Sequence, residues 1–190
     1  MTNITGGKEN MKTPSLSFFT LFITGMLVGC SGASSKSPDV SAMIRRNLDE
    51  AGFKDVTVSQ DRDKGVVTLG GHVTYDADKL QAESIAKSDA ANQVVADEIA
   101  VIPPGIESEA KTVNSDLDQG IEKNLDATLI QARLNKAVKY DVKNGVVTLK
   151  GEVNSQARRA LAESAAAKVP NVRQVVNELE VKNQKATSAN

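Results

Sequence analysis

The thiol of Cys30 is the side chain best suited to covalent chemistry, and it is the only cysteine in the chain. It ends an apolar run that begins at Phe18. Met11-Lys12 precede the run, and Ser31 to Ser37 follow it as a small, polar stretch. A basic start, a short apolar core and small residues at the end make a secretory signal peptide. The run is about a dozen residues, too short for a helix to span ~30 Å of hydrocarbon. Small neighbours leave the backbone there open to a processing enzyme, and a lone thiol beside such a site is a potential nucleophile. The other reading is an ordinary buried cysteine in a retained anchor. Either Met1 or Met11 suits as the start of such a signal. With one cysteine there is no disulfide to form, so stability rests on packing.

The remaining residues form no catalytic constellation. His72 is the single histidine, set in an apolar alternating segment beside Gly70-Gly71. A lone histidine is a poor metal site and here lacks a nucleophilic partner. Gly70-Gly71 has neither the glycine spacing of a dinucleotide fingerprint nor the lysine of a phosphate loop. Asp61, Asp63, Asp76 and Asp78 do not follow the spacing of a calcium loop and read as solvated turns. We therefore expect no enzyme, no cofactor, no metal and no small-molecule substrate. Net charge of the whole chain is −1, which gives no argument for nucleic acid.

Charge is nonetheless uneven. Between Pro38 and Pro103 there are 7 Lys/Arg against 12 Asp/Glu; between Ser115 and Lys182 there are 11 against 9. Arg133, Lys136 and Lys139 cluster in the second half, and Lys150, Arg158 and Arg159 follow a little later. Basic residues near an anionic membrane surface contribute about 1 kcal/mol each, so this cluster is a candidate phospholipid-binding site. Leu129 and Ile130 lie beside it, either as an apolar wedge for the membrane or as part of a core.

The elements that position these residues come in two copies. Gly65 to Val73 recurs as Gly145 to Val153, and the match runs without a gap to Val101 and Val181, with 15 of 37 positions identical. An offset of 80 residues is too long for a solenoid and means duplicated domains. In the first copy Val40, Met43, Ile44 and Leu48 space a helix that Gly52 stops. Val56 and Val58 alternate in a strand, and Asp61 to Gly65 turns it into a second strand carrying Val67, Leu69 and Val73. Gly71 marks a bulge or a close backbone approach. Ala77, Leu80, Ser84 and Ile85 suit a second helix, and Val94 to Ile102 a last strand. The second copy repeats the order, with Lys143-Asn144-Gly145 as a hairpin signal. Ala127 to Lys136 has no counterpart of equal length and either extends the first helix or forms a loop. The fold class is α+β, two tandem αββαβ units, each a three-stranded mixed sheet with two helices on one face.

Two resemblances follow from these residues. Leu27-Val28-Gly29-Cys30 resembles a bacterial lipobox, which implies cleavage before Cys30 and lipidation of its thiol. Ser31 in place of an aspartate implies an outer-membrane anchor facing the periplasm. Val67 to Val73 and Val147 to Val153, each Val-x-Leu-x-Gly-x-Val, resemble the BON domain, as does the alanine-rich helix followed by Pro170 to Leu179. That family is associated with phospholipid binding rather than catalysis, and lipidated members with two copies with envelope integrity. The expected organisation is a signal peptide at 1–29, a lipidated tether at 30–37, BON domains at 38–103 and 115–182, a linker at 104–114 and a disordered tail at 183–190. The expected partners are the membrane and envelope proteins. A stress-induced chaperone-like role and a protein-interaction scaffold remain the alternatives.

Overall fold

A computed structural model describes residues 36–182. Cys30, the signal segment, most of the tether and the segment 183–190 lie outside the described residues. The first unit runs α1 (Ser41–Glu50), β1 (Val56–Asp61), β2 (Val66–Val73), α2 (Asp76–Asp89), β3 (Val94–Asp97) and β4 (Ala100–Val101). The second runs α3 (Glu107–Gln131), β5 (Val138–Lys143), β6 (Val146–Val153), α4 (Gln156–Ala167), β7 (Gln174–Asn177) and β8 (Glu180–Val181). The architecture is α+β, with two αββαβ units in tandem. In each, the hairpin is antiparallel and the last strand returns parallel to the hairpin's second strand. That last strand is split. β3 and β4 both pair with β2 in one register, and β7 and β8 do the same with β6.

The split has a chemical cause that recurs in both units. The amide of Ile99 turns to Asp97 Oδ1, and that of Leu179 to Asn177 Oδ1. A basic residue from the preceding helix then takes the carbonyls left over. Lys79 Nζ donates to Ile99 O at 2.6 Å, and Arg159 donates to Leu179 O and Asn177 O at 3.0 and 2.6 Å. Buried backbone groups need such partners.

The first helix of each unit ends in a Schellman motif. Phe53 N donates to Leu48 O, and Gly52, at φ +93°, donates to Asp49 O. At the end of α3, Leu134 N donates to Leu129 O, and Arg133 N to Ile130 O. Arg133 holds φ +54°, where the first unit has glycine. Ala127 to Lys136 is thus the last turn and cap of α3, one residue longer than its counterpart. The extra length lies at the other end. α3 has 25 residues against 10 in α1, and the stretch read as a linker is helical from Glu107 onward.

Each unit has its own core. In the first, Val40, Ile44 and Leu48 meet Val56, Val67, Leu69 and Val73. Met43, expected among them, is exposed. The buried face of α2 is Lys79, Ala82 and Ala86, and Leu80 is 65% exposed. Lys79 turns the helix this way, because its ammonium is held inward by the split strand. Gly71 is the expected close approach: a Cβ there would lie 2.0 Å from Asp55 O, and one at Gly151 2.3 Å from Ala137 O.

A third apolar cluster joins the units through equivalent residues. Val66 and Ala96 of the first meet Val146 and Val176 of the second. The Gln174 side chain amide bonds to the free edge of β3, donating to Val95 O and accepting from Asp97 N. Each hairpin turn reaches the split strand of the other unit. Asn144 Nδ2 donates to Glu98 O and Lys143 pairs with Glu98, while Lys64 pairs with Glu180. The packing is close to a twofold exchange.

Candidate functional site

Four segments converge at one end of the second sheet. The α3 cap supplies Arg133 and the loop after it Lys136. β5 supplies Lys139, and β6 supplies Lys150 directly opposite it in the ladder. α4 begins beside them: Ser155 caps it by accepting from Arg158 N at 3.2 Å, and Arg158 Nη1 reaches Arg133 O at 3.4 Å. All five cationic side chains are exposed. Among the described residues none of them forms an ion pair.

Three of these placements are locally unfavourable. A non-glycine residue in the left-handed region costs about 1–2 kcal/mol. Like charges directly opposite on a ladder repel. A cation in the first turn of a helix opposes the macrodipole. The first unit avoids all three, with Gly52 for Arg133, Thr57 and Gly70 for Lys139 and Lys150, and Asp78 for Arg158. Of the five cations only Lys136 has a basic counterpart, Lys54. Local rules broken together at one end of a sheet mark a place where something other than stability decides the residues.

Two of the candidate residues are corrected by the structure. Leu129 is 1% exposed in the domain core, so it is no membrane wedge. Arg159 is half-buried and spends its guanidinium on Asn177 O and Leu179 O, so it holds the split strand rather than facing solvent. Ile130 is 58% exposed at the rim of the basic cluster, where the first unit has Asp49 paired with Arg45. Arg133, Ile130 and Arg158 lie on the helix side of the sheet end, and Lys136 in the loop beside them. Lys139 and Lys150 alternate with the core residues Val138, Tyr140 and Leu149 and so point to the other face, where Lys150 borders Glu152, Glu178 and Glu180.

The sequence reading missed the counterpart of Arg159. Lys79 and Asp97 form an ion pair at 3.5 Å and are nearly fully buried. Burial pushes the Lys79 ammonium below the usual lysine range, against the pull of Asp97. Burial likewise pushes the Asp97 carboxyl up, against the pull of Lys79. The signal was present in the repeat, since Lys79 and Arg159 occupy the same place in the two copies. Among the described residues there is no cluster of three metal-ligating side chains, and no helix is long and apolar enough to cross a membrane.

The BON domain family matches this chain twice, at residues 37–103 and 117–183. Osmotically-inducible protein Y of Escherichia coli (strain K12) is 30% identical over 146 residues, which cover 75% of this chain and 71% of that protein. Among solved structures, the C-terminal domain of CdsD, a structural protein of the type III secretion system of Chlamydia trachomatis, aligns at 13% identity and a TM-score of 0.31. That alignment covers 75% of this chain and 65% of the other. Two matched copies, which together fill most of the sequence, and the similarity to a curated relative along most of its length show that the chain belongs to the BON domain family.

Proposed function

We propose that this protein is a non-catalytic envelope lipoprotein whose second BON domain binds anionic phospholipid. In this reading the chain is exported, cut before Cys30 and acylated there. It is held on the outer membrane facing the periplasm and supports envelope integrity. The name of its relative, osmotically-inducible protein Y, adds osmotic induction as a point of comparison and supports a stress-related role. The observation that supports the reading is the cluster of exposed cations at one end of the second domain's sheet, built against local preference and absent from the first. At about 1 kcal/mol per basic residue near an anionic leaflet, binding by this cluster is weak and screened by salt. An acyl anchor makes weak binding sufficient, because a tethered domain meets the surface at high effective concentration.

The test is sedimentation with vesicles of a chain beginning at Ser31, which lacks the acylated residue. Binding to phosphatidylglycerol vesicles that fades with salt, with none to phosphatidylcholine, is the expected result. Lys139→Gln/Lys150→Gln should weaken it about tenfold or more, from ~2 kcal/mol of lost attraction. Absence of binding at low salt would reject the lipid role and leave protein partners as the reading to pursue.

A further inference from the structure

Two cavities lie side by side where the units meet, and two charged residues line both. The larger, about 510 Å³, opens between α2 and the start of β7. The smaller, about 220 Å³, has an apolar floor of Ile99, Val101, Leu117 and Ile121. Asp76, in the first turn of α2, and Arg173, just before β7, border each. They carry opposite charges, yet among the described residues neither side chain forms an ion pair or a hydrogen bond.

Arg173 is held in place. Its amide donates to Gly145 O at 2.8 Å, and its stem lies over Gly145, where an added Cβ would meet Cδ at 2.9 Å. The Asn144-Gly145 turn is itself fixed by α3, since Asp118 accepts from both amides at 2.7 and 2.9 Å. Lys79 lines the larger cavity with it, and burial first, then the Arg173 charge, lowers the Lys79 pKa. Leu80 and Leu117 are exposed large hydrophobics, and both line this cleft. At about 30 Å³ of liquid volume per water, the smaller cavity has room for about seven waters, or an apolar arm of similar size.

We infer that the cleft between the two domains binds a small zwitterion with an apolar arm. The anionic group of the ligand sits on Arg173, its ammonium on Asp76, and its arm on Leu117 and Ile121. An apolar amino acid has this chemistry, and so does a single-chain phosphatidylethanolamine. The cleft is independent of the cationic cluster of the second domain.

Titration calorimetry of the full chain in a non-ionic detergent tests it, with L-phenylalanine and a ten-carbon lysophosphatidylethanolamine as probes. Phenylpropionate and phenethylamine each lack one charge. Binding of either zwitterion, at least tenfold tighter than both singly charged analogues, is expected. Which zwitterion binds more tightly identifies the source, a free amino acid or a lipid. Arg173→Gln and Asp76→Asn should each weaken binding at least tenfold while the thermal midpoint stays within a few degrees. If a variant fails to fold, Leu117→Ala, at an exposed position, should weaken the zwitterions and leave benign melting behaviour. Neither zwitterion binding at millimolar concentration, equal binding of an analogue, or indifference to all three substitutions would overturn the inference. Loss of vesicle binding in the Lys139/Lys150 variant with zwitterion binding intact would keep the two sites distinct.

Discussion

Arg133 and Lys79 occupy positions that a stability argument alone would fill otherwise. At Arg133 the left-handed backbone (φ +54°) is one that Gly52 adopts without strain in the first unit. Arg133→Gly should raise stability by about 0.5–1 kcal/mol, read as a shift of the urea midpoint, because relief of strain outweighs the added freedom of the unfolded chain. The same substitution should weaken vesicle binding several-fold, since it removes one cation near the surface. Opposite signs in the two measurements would separate function from folding at one residue. Lys79 is the reverse case. Lys79→Ala leaves the Asp97 carboxylate and two carbonyls buried without their cation, and should cost about 3 kcal/mol or more in denaturant melts. Lys79→Arg should restore most of this, because Arg159 does the same work in the second unit. The burial that lowers the Lys79 pKa fixes a pH trend. Between the lowered folded value and the ordinary one, the unfolded chain holds more protons, so this residue's contribution makes stability rise with pH. Lys79→Arg should flatten that rise in melts between neutral and alkaline pH.

Hairpins and strands were the most readable elements, and helices the least. Alternation at Val138, Tyr140 and Val142 followed by Asn144-Gly145 leaves little choice but a two-residue turn, and both central residues have positive φ. Gly145→Ala should cost about 1–2 kcal/mol by thermal melt, since the side chain strains a left-handed residue and meets Arg173. The front of α3 was unreadable as helix for a physical reason. Glu107 to Asn114, the part read as linker, buries no residue in either core, so it has no apolar period to detect, and Ile106 and Val113 are exposed. α2 was misread by one step because its inward residue is a lysine, and a lysine does not count as apolar in a pattern. Leu80 drew the face toward itself, although it lines a cleft. The cationic cluster was legible as composition, but its membership was not. Arg158 and Arg159 are adjacent in sequence and face different partners, which only the position of the split strand decides.

At the scale of the molecule, the two units behave as one body. Val66, Ala96, Val146 and Val176 are buried in one cluster shared by the two units, and Gln174 closes the free edge of β3. Chemical denaturation should therefore show one cooperative transition by far-ultraviolet circular dichroism. Val146→Asp, which buries a charge in that contact, should split or broaden it. The exchange of turns between the units carries a further consequence. Each unit holds both halves of the contact, a turn that reaches outward and a split strand that receives it. A single unit has what it needs to pair with a second copy of itself, in the isologous manner of a twofold dimer. Joining two units in one chain makes that pairing independent of protein concentration. It also frees the two partners from being alike. A dimer of identical units would carry the same end surface twice, basic on both or on neither. In the fused pair one end keeps Gly52 and Asp78 while the other takes Arg133 and Arg158, so a symmetric scaffold gains a direction.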